Sequence, residues 1–152
     1  MLINGEWTEA RSGLSFEVLN PATGESIGSV ADGGAEDALL AITAAHNAFK
    51  TWSKTTAYER SAVLYRAWEI MTSRADELAH LMTVEQGKPL KASKAEVKYA
   101  SDFLLWFAEE AKRVVGEWLP SQRPDQRFLS VKVPVGVVAA ITPWNYPISM
   151  LT

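Results

Sequence analysis

Cysteine is absent from the 152 residues. Disulfides, thiolate metal sites and a cysteine nucleophile are therefore excluded within the chain. Histidine is almost as scarce: His46 and His80 are the two present, and neither has a partner at ligand spacing. Both are expected as solvent-facing or structural residues, and no metal site is expected. Neither sign of charge dominates. A net charge of −3, a pI near 5.4 and no arginine-rich block give no pull toward nucleic acid or an anionic membrane. No window reaches the roughly 20 apolar residues that a membrane helix needs. Met1–Trp7 also lacks the basic and long apolar segments of a signal peptide. A cytoplasmic protein with no membrane partner is the expectation.

Glycine patterns that cradle phosphate are missing too. Gly33-Gly34 stands without the wider dinucleotide fingerprint, and Gly87-Lys88 lacks the preceding glycine of a phosphate loop. Pro89 stands where such a loop would place the hydroxyl that holds magnesium. Both pairs read as loop and turn residues.

What is present points to a folded domain, with 47% hydrophobic residues and six tryptophans. Asn4-Gly5 predicts a tight hairpin, since both residues accept positive φ. Phe16–Leu19 and Ile27–Val30 read as short strands around the turn Pro21-Ala22-Thr23-Gly24. Three helical stretches follow. In the first, Ala38, Ile42, Ala45, Phe49 and Trp52 share one face. The second opens on the capping pair Thr56 and Glu59 and ends at Gly87, either as one helix or as two joined near Ser73. The third aligns Val97, Ala100, Leu104, Phe107, Ala111 and Val114 in a seam, with Gly116 as its cap. Glu109 and Glu110 are adjacent and diverge by about 100° around a helix, so they form a solvated face and not a catalytic pair. Tyr99, Phe103 and Trp106 add aromatic bulk, for the core or for lining a substrate entrance.

Near the end, Gln122–Arg127 reads as a loop and Phe128–Val133 alternates as a strand. Val135–Ile141 then carries no charge. Such a short run, rich in β-branched residues and bounded by prolines, suits a strand buried on both faces of a parallel sheet. Thr142-Pro143-Trp144-Asn145-Tyr146-Pro147 ends it in a rigid loop, because neither proline donates to a ladder. Crevices at such strand ends commonly hold ligands.

That loop resembles the Thr-Pro-Trp-Asn-Phe-Pro signature of NAD(P)-dependent aldehyde dehydrogenases. Asn20-Pro21-Ala22-Thr23-Gly24-Glu25, Glu85-Gln86-Gly87-Lys88-Pro89-Leu90 and Trp106-Phe107-Ala108-Glu109-Glu110-Ala111 resemble further family motifs in the right order. Together they are most similar to the succinate-semialdehyde dehydrogenase branch, over Leu2–Thr152. The resemblance implies an α/β fold. Residues 1–118 would belong to the cofactor-binding domain, 119–134 to a protruding strand segment that pairs with a neighbouring subunit, and 135–152 to the start of a Rossmann-type core. It implies a homo-oligomer through Phe128–Val133, a small aldehyde as substrate, and NAD or NADP as cofactor. Asn145 would stabilise the oxyanion, Ile141, Thr142, Pro143 and Trp144 would line the cofactor, and Tyr146, Tyr99 and Phe103 would line the substrate channel.

Oxidising an aldehyde this way needs a thiolate nucleophile, an oxyanion stabiliser, a hydride acceptor and a general base. Of the protein groups, only the oxyanion stabiliser has a match here. The expectation is thus the N-terminal part of a longer oxidoreductase, inactive alone. An alternative of a different class is a non-catalytic module that acts by self-association or partner binding.

Overall fold

The computed structural model describes residues 1–152. Its first thirty residues form two separate antiparallel ribbons, β1 (Leu2–Ile3) with β2 (Glu6–Trp7) and β3 (Ser15–Leu19) with β4 (Ser26–Ala31). The first turns at Asn4 and Gly5, with φ of 54° and 81°, the pair of positive angles that an Asn-Gly hairpin requires. In the second, Phe16 pairs with Val30 and Glu17 with Ser29, before an irregularity at Val18 and Leu19 shifts the register.

Four helices follow where three stretches were expected: α1 (Ala35–Trp52), α2 (Ala57–Ser73), α3 (Ala75–Gln86) and α4 (Leu90–Glu110). The second stretch is two helices joined at Arg74, one residue past Ser73. Thr56 caps α2 as expected. Its hydroxyl accepts from the Glu59 amide at 3.2 Å, and the Glu59 carboxylate accepts from the Thr56 amide at 2.6 Å. Gly87 ends α3 in the left-handed conformation, φ 70°.

The core lies where α3 meets α4, around Ala79, Met82 and Val97, with Met71, Ala75, Leu78 and Ile148 against it. Along α4 the buried positions are Ser93, Glu96, Val97, Ala100, Ser101 and Ala108. The expected seam is therefore buried only at its start. Phe107 and Val114 are exposed, and α4 passes into a 3-10 turn at Ala111–Arg113, ahead of Gly116. Gly116 is not a helix cap. It faces the Ser130 carbonyl across the ribbon of β5 (Glu117–Leu119) and β6 (Phe128–Ser130) so closely that no Cβ fits.

The strand expected over Phe128–Val133 is ordered as a ladder only to Ser130. Val135–Ile141, expected as a doubly buried strand, has no regular secondary structure, and Val135 and Ile141 are 92% and 100% exposed. A strand owes its burial and its hydrogen bonds to neighbouring strands, and none of this chain lies beside it. The face of α1 is also largely uncovered, with Ile42 and Trp52 exposed. Only 12 of 152 residues are buried, so much of the apolar patterning faces outward. Both histidines are exposed, as expected for His46, whereas His80, read as structural, also faces solvent. Glu109 and Glu110 pair with Arg113 on the solvent side of α4. No helix is long and apolar enough to cross a membrane.

Candidate active-site wall at the Asn145 loop

The segment Trp144–Ser149 is held on the junction between α3 and α4 by three side chains from that junction. The α3 helix ends at Gln86, and Gly87 turns the chain so that Lys88 and Pro89 lead into α4. Gln86 donates its side-chain amide to the Trp144 carbonyl. The Lys88 ammonium donates to the Asn145 carbonyl at 3.2 Å, and it stands 4.0 Å from the centre of the Tyr146 ring.

Glu96, two turns into α4, completes the arrangement. Its carboxylate is 1% exposed and forms an ion pair with Lys88. The other carboxylate oxygen accepts from the amides of Ile148 at 3.1 Å and Ser149 at 3.3 Å. Those amides open a final turn in which the Met150 amide reaches the Tyr146 carbonyl at 3.1 Å. Amides at the start of such a turn have no partner along the chain, and a carboxylate supplies one. Burying a carboxylate costs several kcal/mol unless charge and hydrogen bonds compensate it, and Glu96 has both.

The backbone of the loop is thus fixed at several points. By contrast, the side-chain amide of Asn145 is exposed and makes no hydrogen bond within the chain. Ile141, Thr142, Pro143 and Trp144 precede it as an uncharged, fully solvent-facing run. Tyr146 lies beneath Lys88. Tyr99 and Phe103 pack edge to face at 4.6 Å on α4, and Tyr99 makes no hydrogen bond to the loop. A surface hollow further along α4 is lined by Asp102, Leu105, Trp106, Glu109, Glu110 and Arg113, and by no residue of 141–146.

Lys88 and Glu96 were not among the candidates that the sequence suggested. Glu85–Leu90 stood out only as a family motif. The available signal was a lysine just past a glycine-terminated helix, with a glutamate eight residues on, beside the apolar positions Val97 and Ala100.

The chain belongs to the aldehyde dehydrogenase family, whose sequence profile matches residues 7–152. It is 52% identical over 150 residues to the glutarate-semialdehyde dehydrogenase of Pseudomonas putida, covering 99% of this chain and 31% of that protein. It is 48% identical over 151 residues to the NADP(+) succinate-semialdehyde dehydrogenase GabD of Escherichia coli, again with 99% and 31% covered. Among solved structures, that of a succinate-semialdehyde dehydrogenase from Burkholderia pseudomallei superposes with a TM-score of 0.95 at 49% identity, covering 98% of this chain and 31% of that one. The chain therefore spans about a third of the length of these relatives, and its fold is the family's α/β fold.

Proposed function

We propose that this chain forms one wall of the active site of an enzyme that oxidises a semialdehyde to the carboxylic acid with NAD or NADP. The observation that carries the reading is the free side-chain amide of Asn145 on a loop whose backbone is held from α3 and α4. An amide donates to a developing oxyanion without a charge that would grip the carboxylate product. Asn145 is accordingly assigned as the oxyanion donor, and Tyr146, Tyr99 and Phe103 as lining of the substrate channel. The nucleophile is not among these 152 residues, which contain no cysteine.

Ile141, Thr142, Pro143 and Trp144 suit the nicotinamide end of a dinucleotide, because they offer an uncharged exposed surface for close contact. No cation lies among them to neutralise a pyrophosphate, so the rest of that ligand belongs to other residues. When bound, the cofactor accepts the hydride. The names of the relatives support a C4 or C5 semialdehyde, and the E. coli relative supports NADP.

Steady-state kinetics on the intact enzyme with succinate and glutarate semialdehydes test this reading. Asn145→Ala is expected to lower kcat by about 10²–10³-fold, as for other lost oxyanion donors, with cofactor affinity unchanged. A kcat close to that of the parent rejects the assignment. The 152-residue chain alone is expected to show no aldehyde-dependent NADH or NADPH formation.

A second reading concerns association. The β5–β6 ribbon has two unpaired outer edges, and Leu129, Val131 and Val133 are exposed. Unpaired edges with apolar alternation invite pairing with another chain. We infer that a second copy pairs along Phe128–Val133. Light scattering at micromolar concentration decides it, a clean monomer being the adverse result.

A further inference from the structure

Lys88 and Glu96 do more than fill space at the junction. A buried carboxylate and a mostly buried ammonium, 1% and 16% exposed at the side chain, are spent on one short loop. The ammonium carries three N–H donors. One is directed to Glu96, one to the Asn145 carbonyl, and the remaining contact is the π face of Tyr146. Glu96 takes the lysine on one oxygen and the Ile148 and Ser149 amides on the other. Lys88 thereby grips the backbone at the Asn145 carbonyl and Glu96 grips it at Ile148 and Ser149, while Gln86 holds the Trp144 carbonyl just before them, and the Asn145 side-chain amide is left free. A structural ion pair needs no such division of its donors and acceptors.

We propose that Lys88 and Glu96 are positioning residues for the reaction, a latch that fixes where the Asn145 amide points. The inference rests on the reading of Asn145 as the oxyanion donor. Small displacements of a reacting group are costly: a shift of about 1 Å can reduce rate by about 100-fold. The latch is specific in chemistry. An arginine at position 88 presents a planar fork and cannot serve an oxygen, a carbonyl and a ring from one point. A glutamine at position 96 has one acceptor oxygen, so it either gives that oxygen to the two amides and turns its N–H₂ group toward the ammonium, or gives it to the ammonium and turns the N–H₂ group toward the amides.

Two measurements test the latch. The first is amide hydrogen exchange of the intact enzyme. In Glu96→Gln, Ile148 and Ser149 are expected to exchange about tenfold faster or more, the scale set by hydrogen bonds to a charged group, while amides of α1 keep their rates. Unchanged exchange at Ile148 and Ser149 overturns the proposal. The second is a kinetic cycle in the intact enzyme. Glu96→Gln alone is expected to lower kcat about tenfold with little change in the KM for aldehyde. In the Asn145→Ala background it should lower kcat by no more than about twofold, because coupled sites are not additive. An equal loss in both backgrounds overturns the latch and leaves the role of Asn145 standing. If Asn145→Ala itself leaves kcat intact, the parent reading fails, and the positioning role fails with it. Should Glu96→Gln not fold, Lys88→Met replaces it in the kinetic cycle, with the same expected loss and the same overturning result, since that variant keeps the two amide bonds to Glu96. Lys88→Arg is expected not to restore kcat.

Discussion

Asp37 reaches back 26 residues to accept the amide of Arg11 at 3.0 Å, while its second oxygen takes the amide of Gly34 at 2.9 Å. One buried carboxylate thus ties the start of α1 to the loop between the two N-terminal ribbons. The Gly34 amide, and then the Arg11 amide, hold this carboxyl below its ordinary value of 3.8, against the opposing effect of burial. A carboxyl whose value is lowered by folding adds stability above the unfolded-state value and loses it as pH falls through the folded-state value. Asp37→Asn is therefore expected to destabilise at neutral pH and to flatten the acid limb of stability below about pH 5. Urea midpoints measured across that range check it; parallel curves for the two proteins count against it.

The reciprocal cap of α2 predicts a local effect. Thr56→Ala removes the hydroxyl that accepts from the Glu59 amide, at a cost of about 1 kcal/mol. The Thr56 amide and hydroxyl hold the Glu59 carboxyl below its usual range, so this contribution too is lost on the acid side. Urea unfolding at pH 7 and at pH 4 gives both quantities. The difference between Thr56→Ala and the parent should narrow at the lower pH.

Gly87 is constrained twice. Its φ of 70° disfavours any side chain, and an added Cβ would stand 2.9 Å from Pro21. Gly87→Ala is expected to cost about 1–2 kcal/mol from the backbone alone. It should also disturb Lys88 and with it the Asn145 loop. A variant of parental stability would mean that the turn relaxes freely.

Gly116 predicts a different phenotype. A methyl group there meets the Ser130 carbonyl, so Gly116→Ala should part β5 from β6. Helical circular dichroism is expected to stay within about 5% of the parent, because neither strand belongs to the helical core. The self-association proposed through Phe128–Val133 should be lost. Association retained in that variant would move the interface elsewhere.

Local chemistry was legible in the sequence. Asn4-Gly5, the Thr56 and Glu59 pair, and Gly87 each act within a few residues, and each adopts the conformation its composition dictates. Burial was less legible. Val135–Ile141 has the composition of an inner strand, yet composition cannot supply the neighbours that bury it. The seam on α4 continued in the sequence to Val114, whereas the helix stops at Glu110 and the later seam residues Phe107 and Val114 stay exposed. The latch was illegible for another reason. Glu96 bonds to backbone amides more than fifty residues away, and an amide leaves no mark in the sequence.

That bond also makes the chain between its ends a closed ring. Glu96 and Ile148 lie 52 residues apart and are joined directly. Everything from the end of α4 through the β5–β6 ribbon and the uncovered apolar run lies within the loop that this bond closes. Closing such a loop depends only logarithmically on its length, about 0.6 kcal/mol for each doubling. Insertions or deletions in the ribbon should thus scarcely strain the anchor, and the outer part of this segment is free to vary in length while the Asn145 loop stays in place.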